Sequence, residues 1–263
     1  MPSLPQTPPA MQVLATLGPD PDVVGPMFVG ILVLFVLFGV LSVQIYIYGA
    51  TVSIDRGLVR ALVYGIYALL LVQVIMCGHD EFLRFTARSP EGIGLGWFFV
   101  PVIGGIVTFG VQVFYAWRIS FLSGSKAGPS CLVVLSLTSA IAAFVSASFG
   151  SRAGSVQQLG TSSPGIRISS AIWFSTSAVC DLAIASYMIY LLTRSGSAIE
   201  NTKGIVGKVI RLVIESNALT ATLAVVTVAL LLGPQNQTYF TVSALVLPSI
   251  YGNSLLVMMN LRF

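Results

Sequence analysis

The sequence predicts an all-α membrane protein: a single seven-transmembrane-helix bundle, N-terminus outside and C-terminus cytosolic. Three observations carry this reading. Of the 263 residues, 56% are hydrophobic and only 8% charged, with a mean hydropathy of +0.92. A soluble domain carries roughly 25% charged residues, so disordered chains, nucleic-acid-binding domains and most cytosolic enzymes are excluded. The apolar residues gather in seven segments, each long enough to cross a hydrocarbon core of about 30 Å. The connections are too short to hold a soluble domain.

Each element follows from its residues. A Pro-rich tail, 1–25, has no Lys or Arg and so lacks the basic start of a secretory signal. The transmembrane domain occupies 26–263. Its first span, 26–48, ends at GATVSID, and the second, 58–77, ends at GHDEFLRFTARSPEG, which reads as a connection. The third, 95–117, contains Pro101, and the seventh, 240–260, contains Pro248; both should kink, with neighbouring helices satisfying the freed carbonyls. The fourth, 131–149, carries Ser139, Ala143 and Ala147 four apart, a stripe that lets backbones approach closely. The fifth, 169–192, and sixth, 207–232, are bounded by the Gly/Ser/Gln stretch 150–165, RSGSAIENTKG and GPQNQT.

Basic residues set the orientation. Arg84, Arg88, Arg152 and Arg167 fall on the N-terminal side. The other side holds Arg56, Arg60, Arg118, Lys126, Arg194, Lys203, Lys208, Arg211 and Arg262. The positive-inside rule then puts the N-terminus outside. The sequon at Asn236 lies on that outer side, close to the membrane. This topology spreads Cys77, Cys131 and Cys180 over different depths, so no pair is placed to form a disulfide.

Ionisable residues inside a span are costly and are functional candidates by default. Two acids qualify, Asp181 and Glu215. At about 1.5 Å per residue from the cytosolic ends, Asp181 lies about 18 Å deep and Glu215 about 13 Å. Asn217 falls near the depth of Asp181, and Gln44, Gln112 and Asn253 lie about 6–10 Å in. These six form the candidate ligand-binding set, with Asp181 and Glu215 as the catalytic candidates and one shared cavity as the expectation. The competing reading makes Gln44, Gln73, Gln112 and Asn253 interhelical hydrogen-bond glue, and Glu215 a helical partner of Arg211. Gln73, His79, Asp80 and Trp97 form a looser outer set, with His79 and Asp80 on a solvated loop.

Absent patterns prune the alternatives. One histidine excludes a multi-histidine zinc hydrolase, and no G-x-S-x-G elbow is present. A single Asp in the spans argues against a paired-aspartate protease. The seventh span has no Lys for a retinal linkage, and nucleotide-binding patterns are missing. No metal or cofactor is expected.

Several strings resemble a known family: LFGVLSVQIYIY (37–48) with Asp55 downstream, VQVFYAWRI (111–119), WFSTSAVCDLAIA (173–185), IRLVIESNALTA (210–221) and YGNSLLVMMNLR (251–262). They are similar to the multipass proteins abundant in basidiomycete fungi, whose C-terminal half is a domain of unknown function. The resemblance runs the length of the chain in order and implies a fungal seven-helix membrane protein. It places Asp181, Arg211 and Asn217, with Asn253-Ser254 and Asn260-Leu261-Arg262, on the family's recurring polar positions. GPDPDVVGPMFVG (18–30) is longer and more acidic than the family's usual link into the first helix. The family has no established activity.

The first functional expectation is a receptor- or sensor-like bundle in the plasma membrane or an endomembrane, binding a small apolar ligand. Its other partners would be membrane lipids, with no nucleic acid. The alternative is a membrane-embedded enzyme in which a protonated Asp181 or Glu215 acts on a lipid or terpenoid. A small-molecule transporter ranks third, since internal repeats and broken half-helices are not evident.

Overall fold

The computed structural model describes residues 21–51, 57–86, 96–152, 164–194, 203–233 and 239–260. Seven helices account for nearly all of them: α1 Pro21–Thr51, α2 Gly57–Thr86, α3 Gly96–Ser123, α4 Ala127–Gly150, α5 Pro164–Arg194, α6 Lys203–Leu232 and α7 Phe240–Asn260. No strand occurs among the described residues. All seven are long and apolar enough to cross a membrane. The chain is an integral, multi-pass membrane protein. The tail before residue 21, the Asn236 sequon, Asp55, Arg56, Arg88 and Arg262 lie outside the described residues, as do the side chains of Trp97, Arg84, Arg194, Lys203 and Lys208.

Lipid replaces water around the bundle, so the outward face is as apolar as the core. Val36 and Tyr46 of α1 are 67% and 82% exposed, and such a helix shows no polar stripe. Helix α7 is central: of its most apolar stretch 67% is buried, against 22% for α1. It packs on α1, α2, α3 and α6.

Two asparagines fix how α7 lies on α1. Asn253 Nδ2 donates to the Leu37 carbonyl at 3.1 Å, and Asn260 Nδ2 to the Gln44 carbonyl at 3.0 Å. Donors and acceptors are each seven residues apart and rise together, so the helices run parallel and start at the same end of the bundle. Helices α4 and α5 run antiparallel: Ser139 Oγ donates to the Trp173 carbonyl at 3.2 Å, and Ser146 shares a hydrogen bond with Ser170 at 2.7 Å. The expected stripe Ser139, Ala143 and Ala147 is buried. Opposite it, a Cβ on Gly105 of α3 would lie 2.9 Å from the Ala143 methyl, so glycine is what lets the two backbones meet.

Pro101 and Pro248 both sit inside continuous helices. In the turn that Pro248 disturbs, Gln73 Nε2 of α2 donates to the Leu245 carbonyl at 3.0 Å, next to the Ala244 carbonyl that the proline leaves without its N–H.

One boundary departs from the sequence reading. GHDEFLRFT, expected as a connection, is the last part of α2, which runs to Thr86. Hydropathy falls there because the helix leaves the most apolar zone, and helical hydrogen bonding continues regardless. The expected solvated loop at His79 and Asp80 is therefore corrected to helix: Asp80 and Glu81 are 8% and 6% exposed, while the His79 side chain is 54% exposed. The Asp80 carboxylate accepts the backbone N–H of Gly96 at 2.5 Å, at the start of α3, where a negative charge is favoured.

Candidate functional site

Asp181 is fully buried in the middle of α5, and its partners come from three other helices. Gln112 Nε2 of α3 donates to Oδ1 at 2.8 Å. Thr220 Oγ1 of α6 and the Tyr251 hydroxyl of α7 donate to Oδ2 at 2.6 and 2.5 Å. Ser177, one turn before Asp181, lies 2.9 Å from the Tyr251 hydroxyl and also accepts from Gln112 Nε2 at 3.3 Å. With the Tyr251 proton directed at Asp181, Ser177 donates to Tyr251. The result is a knot joining α3, α5, α6 and α7 without a basic residue. A carboxylate that accepts three hydrogen bonds from fixed donors is a satisfied group, and the knot is filled by the protein's own side chains.

The sequence-derived set divides around this knot. Gln112 of the set hydrogen-bonds Asp181 from α3. Asn217 is buried, but its Nδ2 turns back to the Val213 carbonyl of its own helix at 2.7 Å. Asn253 bridges α7 to α1 and also donates to the Ser249 carbonyl at 2.8 Å, which makes it glue. Gln44 lies on α1, and its Oε1 is buried without a hydrogen-bond partner among the described residues. Glu215 is not in the interior: its side chain is 59% exposed and pairs with Arg211 Nε at 2.7 Å. Val213, Asn217 and Thr220 follow each other at helical spacing on the inner face of α6. Glu215 stands two residues from Val213 and from Asn217, about 200° around the axis, and so faces outward. Asp181 and Glu215 share no site.

A second region lies nearer the end of the bundle where α1 begins. A cavity with about 750 Å³ of free space, mouth included, is walled by every helix except α6. Met27 and Ile31 of α1, Val100 of α3, and Phe174, Phe240 and Leu245 supply apolar wall. Trp173 lies deep in it. A Cβ on Gly104 of α3 would be 3.0 Å from the Trp173 ring and 3.2 Å from Pro248 Cγ, so the absence of a side chain there seats the indole against the proline. The ring also stacks on Phe174 with centroids 4.4 Å apart. Polar groups are few: the Asp80 and Glu81 carboxylates, the Ser146–Ser170 pair, Thr241 and the Trp173 N–H. This mixture of apolar wall and few polar groups suits a small-molecule site.

The two regions are adjacent. Ser177, the upper member of the Asp181 knot, lies one turn beyond Trp173 on α5, about 6 Å along the axis. Sequence reasoning placed Asp80 near this end but missed Trp173, Thr241 and the cavity, which no linear count of depth could reveal.

Residues 177–263 match a family of unknown function, DUF6534. The chain thus carries an unknown-function domain in its C-terminal half. The match holds the whole Asp181 knot except Gln112, and of the cavity wall only the α7 residues. No curated protein and no solved structure matches the chain. The three cysteines form no disulfide: Cys77 and Cys180 are buried and Cys131 is exposed.

Proposed function

We propose that this protein is a receptor- or sensor-like bundle that takes a small, largely apolar ligand into the cavity at the α1-start end. With nine basic residues assigned to the opposite end, that mouth faces outside. The observation that carries the reading is the position of the cavity floor, one turn above a knot that ties four helices together. A ligand pressing on Trp173 would act on Ser177 and Tyr251, and so on the mutual placement of α3, α5, α6 and α7. A bundle held by a few buried polar contacts can respond in this way if its ligand favours one arrangement over another.

Cys131 offers a native reporter. It is exposed at the start of α4, at the end opposite the cavity. A fluorophore on Cys131 should change emission when a saturating medium-chain methyl ketone is added to the protein in nanodiscs. Saturated binding with unchanged emission would overturn the sensing role.

One observation favours the enzyme reading in altered form. The carboxyl groups that reach the cavity are Asp80 and Glu81, whereas Asp181 is enclosed by its donors. Acid catalysis in this bundle would therefore fall to Asp80 or Glu81. Product formation by wild type that disappears in Asp80→Asn would select that reading over the sensor.

A further inference from the structure

On the cavity wall, Trp173 Nε1 and Thr241 Oγ1 are buried and lack a hydrogen-bond partner among the described residues. The residues are 2% and 5% exposed, and both line the cavity. A buried N–H or hydroxyl left unsatisfied costs about 1–3 kcal/mol, so such groups are rare unless something binds to them. The remaining polar wall is different. Ser146 and Ser170 satisfy each other, Asp80 is engaged by Gly96, and Glu81 has an interaction of its own.

The two unsatisfied groups sit at different depths. The Trp173 ring lies level with Gly104 and Pro248, each eight residues into its helix, about 12 Å from the helix start. Thr241 is the second residue of α7, so the groups are separated by about 10 Å along the bundle axis. Between them the wall is apolar: Ile31, Val100, Phe174 and Leu245. At the deep end only a donor is offered, which calls for an acceptor oxygen. Near the mouth a hydroxyl and the Asp80 carboxylate together accept and donate, which suits an alcohol. A carboxylic acid at that level would meet Asp80 as a like charge.

We infer that the cavity binds an elongated, uncharged molecule with a carbonyl or ether oxygen held by Trp173 Nε1–H and a hydroxyl at the mouth held by Thr241. The inference rests on the ligand-binding reading above and adds the chemical class. Trp173 and Thr241 are its two specificity-determining residues. The apolar body contributes most of the affinity, and the two anchors set orientation.

The test uses the full chain in nanodiscs and four probes of equal chain length: an ω-hydroxy methyl ketone, the plain methyl ketone, the alkane and the corresponding carboxylic acid. Binding is read as the ligand-induced rise in unfolding temperature across a concentration series. The hydroxy ketone should bind at least about tenfold more tightly than the alkane, with the plain ketone between them and the acid weakest. Trp173→Phe, which keeps the ring, should remove about fivefold of the preference for the ketones over the alkane. Thr241→Val, which keeps the shape, should abolish the advantage of the hydroxy ketone over the plain ketone. Equal binding of all four probes would overturn the anchors while leaving the cavity as a site. Strongest binding of the acid would overturn the proposed class. No saturable binding of any probe would overturn the ligand-binding reading itself. The order of the probes on wild type decides the class even if Trp173→Phe fails to fold.

Discussion

The bundle contains two polar regions one helical turn apart, and they are built on opposite principles. Around Asp181 three donors find the carboxylate: Gln112, Thr220 and Tyr251 close on it from three helices. In the cavity above it, the Trp173 N–H and the Thr241 hydroxyl belong to wall residues and are buried with no hydrogen-bond partner among the described residues. The first arrangement ties helices together; the second, on the reading proposed above, takes a ligand. A buried acid in a membrane span is thus not automatically the place where a ligand binds. What separates the two cases is whether the protein itself satisfies the group.

The contrast is broken most severely by removing the acceptor at the centre of the knot. Asp181→Ala leaves three buried donors facing a void and should cost about 2–3 kcal/mol of stability, measured by thermal unfolding in detergent. Asp181→Asn retains one acceptor and should cost less. If Asp181→Ala unfolds like wild type, the knot is not what holds the helices. A change confined to the cavity should behave in the reverse manner. Ala244→Trp, which fills the space beside Phe240, should weaken methyl ketone binding by at least about tenfold with little change in stability. Retained binding would place the ligand elsewhere.

Gly104→Ala probes the seam between the regions. Its methyl would press on the Trp173 ring at 3.0 Å and on Pro248, at a cost of about 1–2 kcal/mol, and should also shift ligand affinity. A change in stability without a change in affinity would uncouple the cavity floor from the site. Glu215→Gln should do least, since Glu215 and Arg211 form an exposed pair. A marked loss of binding or stability there would restore Glu215 to the site.

Much of the fold was legible because a span needs a long apolar run, and seven such runs stand apart in the chain. The end of α2 was not, since hydropathy reports where lipid stops and not where a helix stops. Asp181 could be singled out because an acid is rare at that depth. Glu215 was misplaced because depth was counted without direction around the helix. The inner seam of α6, Val213 to Asn217 to Thr220, leaves Glu215 on the far side and also contains the missed donor Thr220. Ser177, one turn before Asp181, could have been found by the same rule. Trp173 and Thr241 could not, because their significance lies in lacking a partner, which only the packed structure shows.

The most direct test is native mass spectrometry of the full chain with a medium-chain methyl ketone, comparing wild type, Ala244→Trp and Asp181→Asn. A ligand in the cavity requires a bound mass on wild type and on Asp181→Asn, and its loss from Ala244→Trp. A bound mass that survives Ala244→Trp and disappears with Asp181→Asn would move the site to the knot and contradict the account.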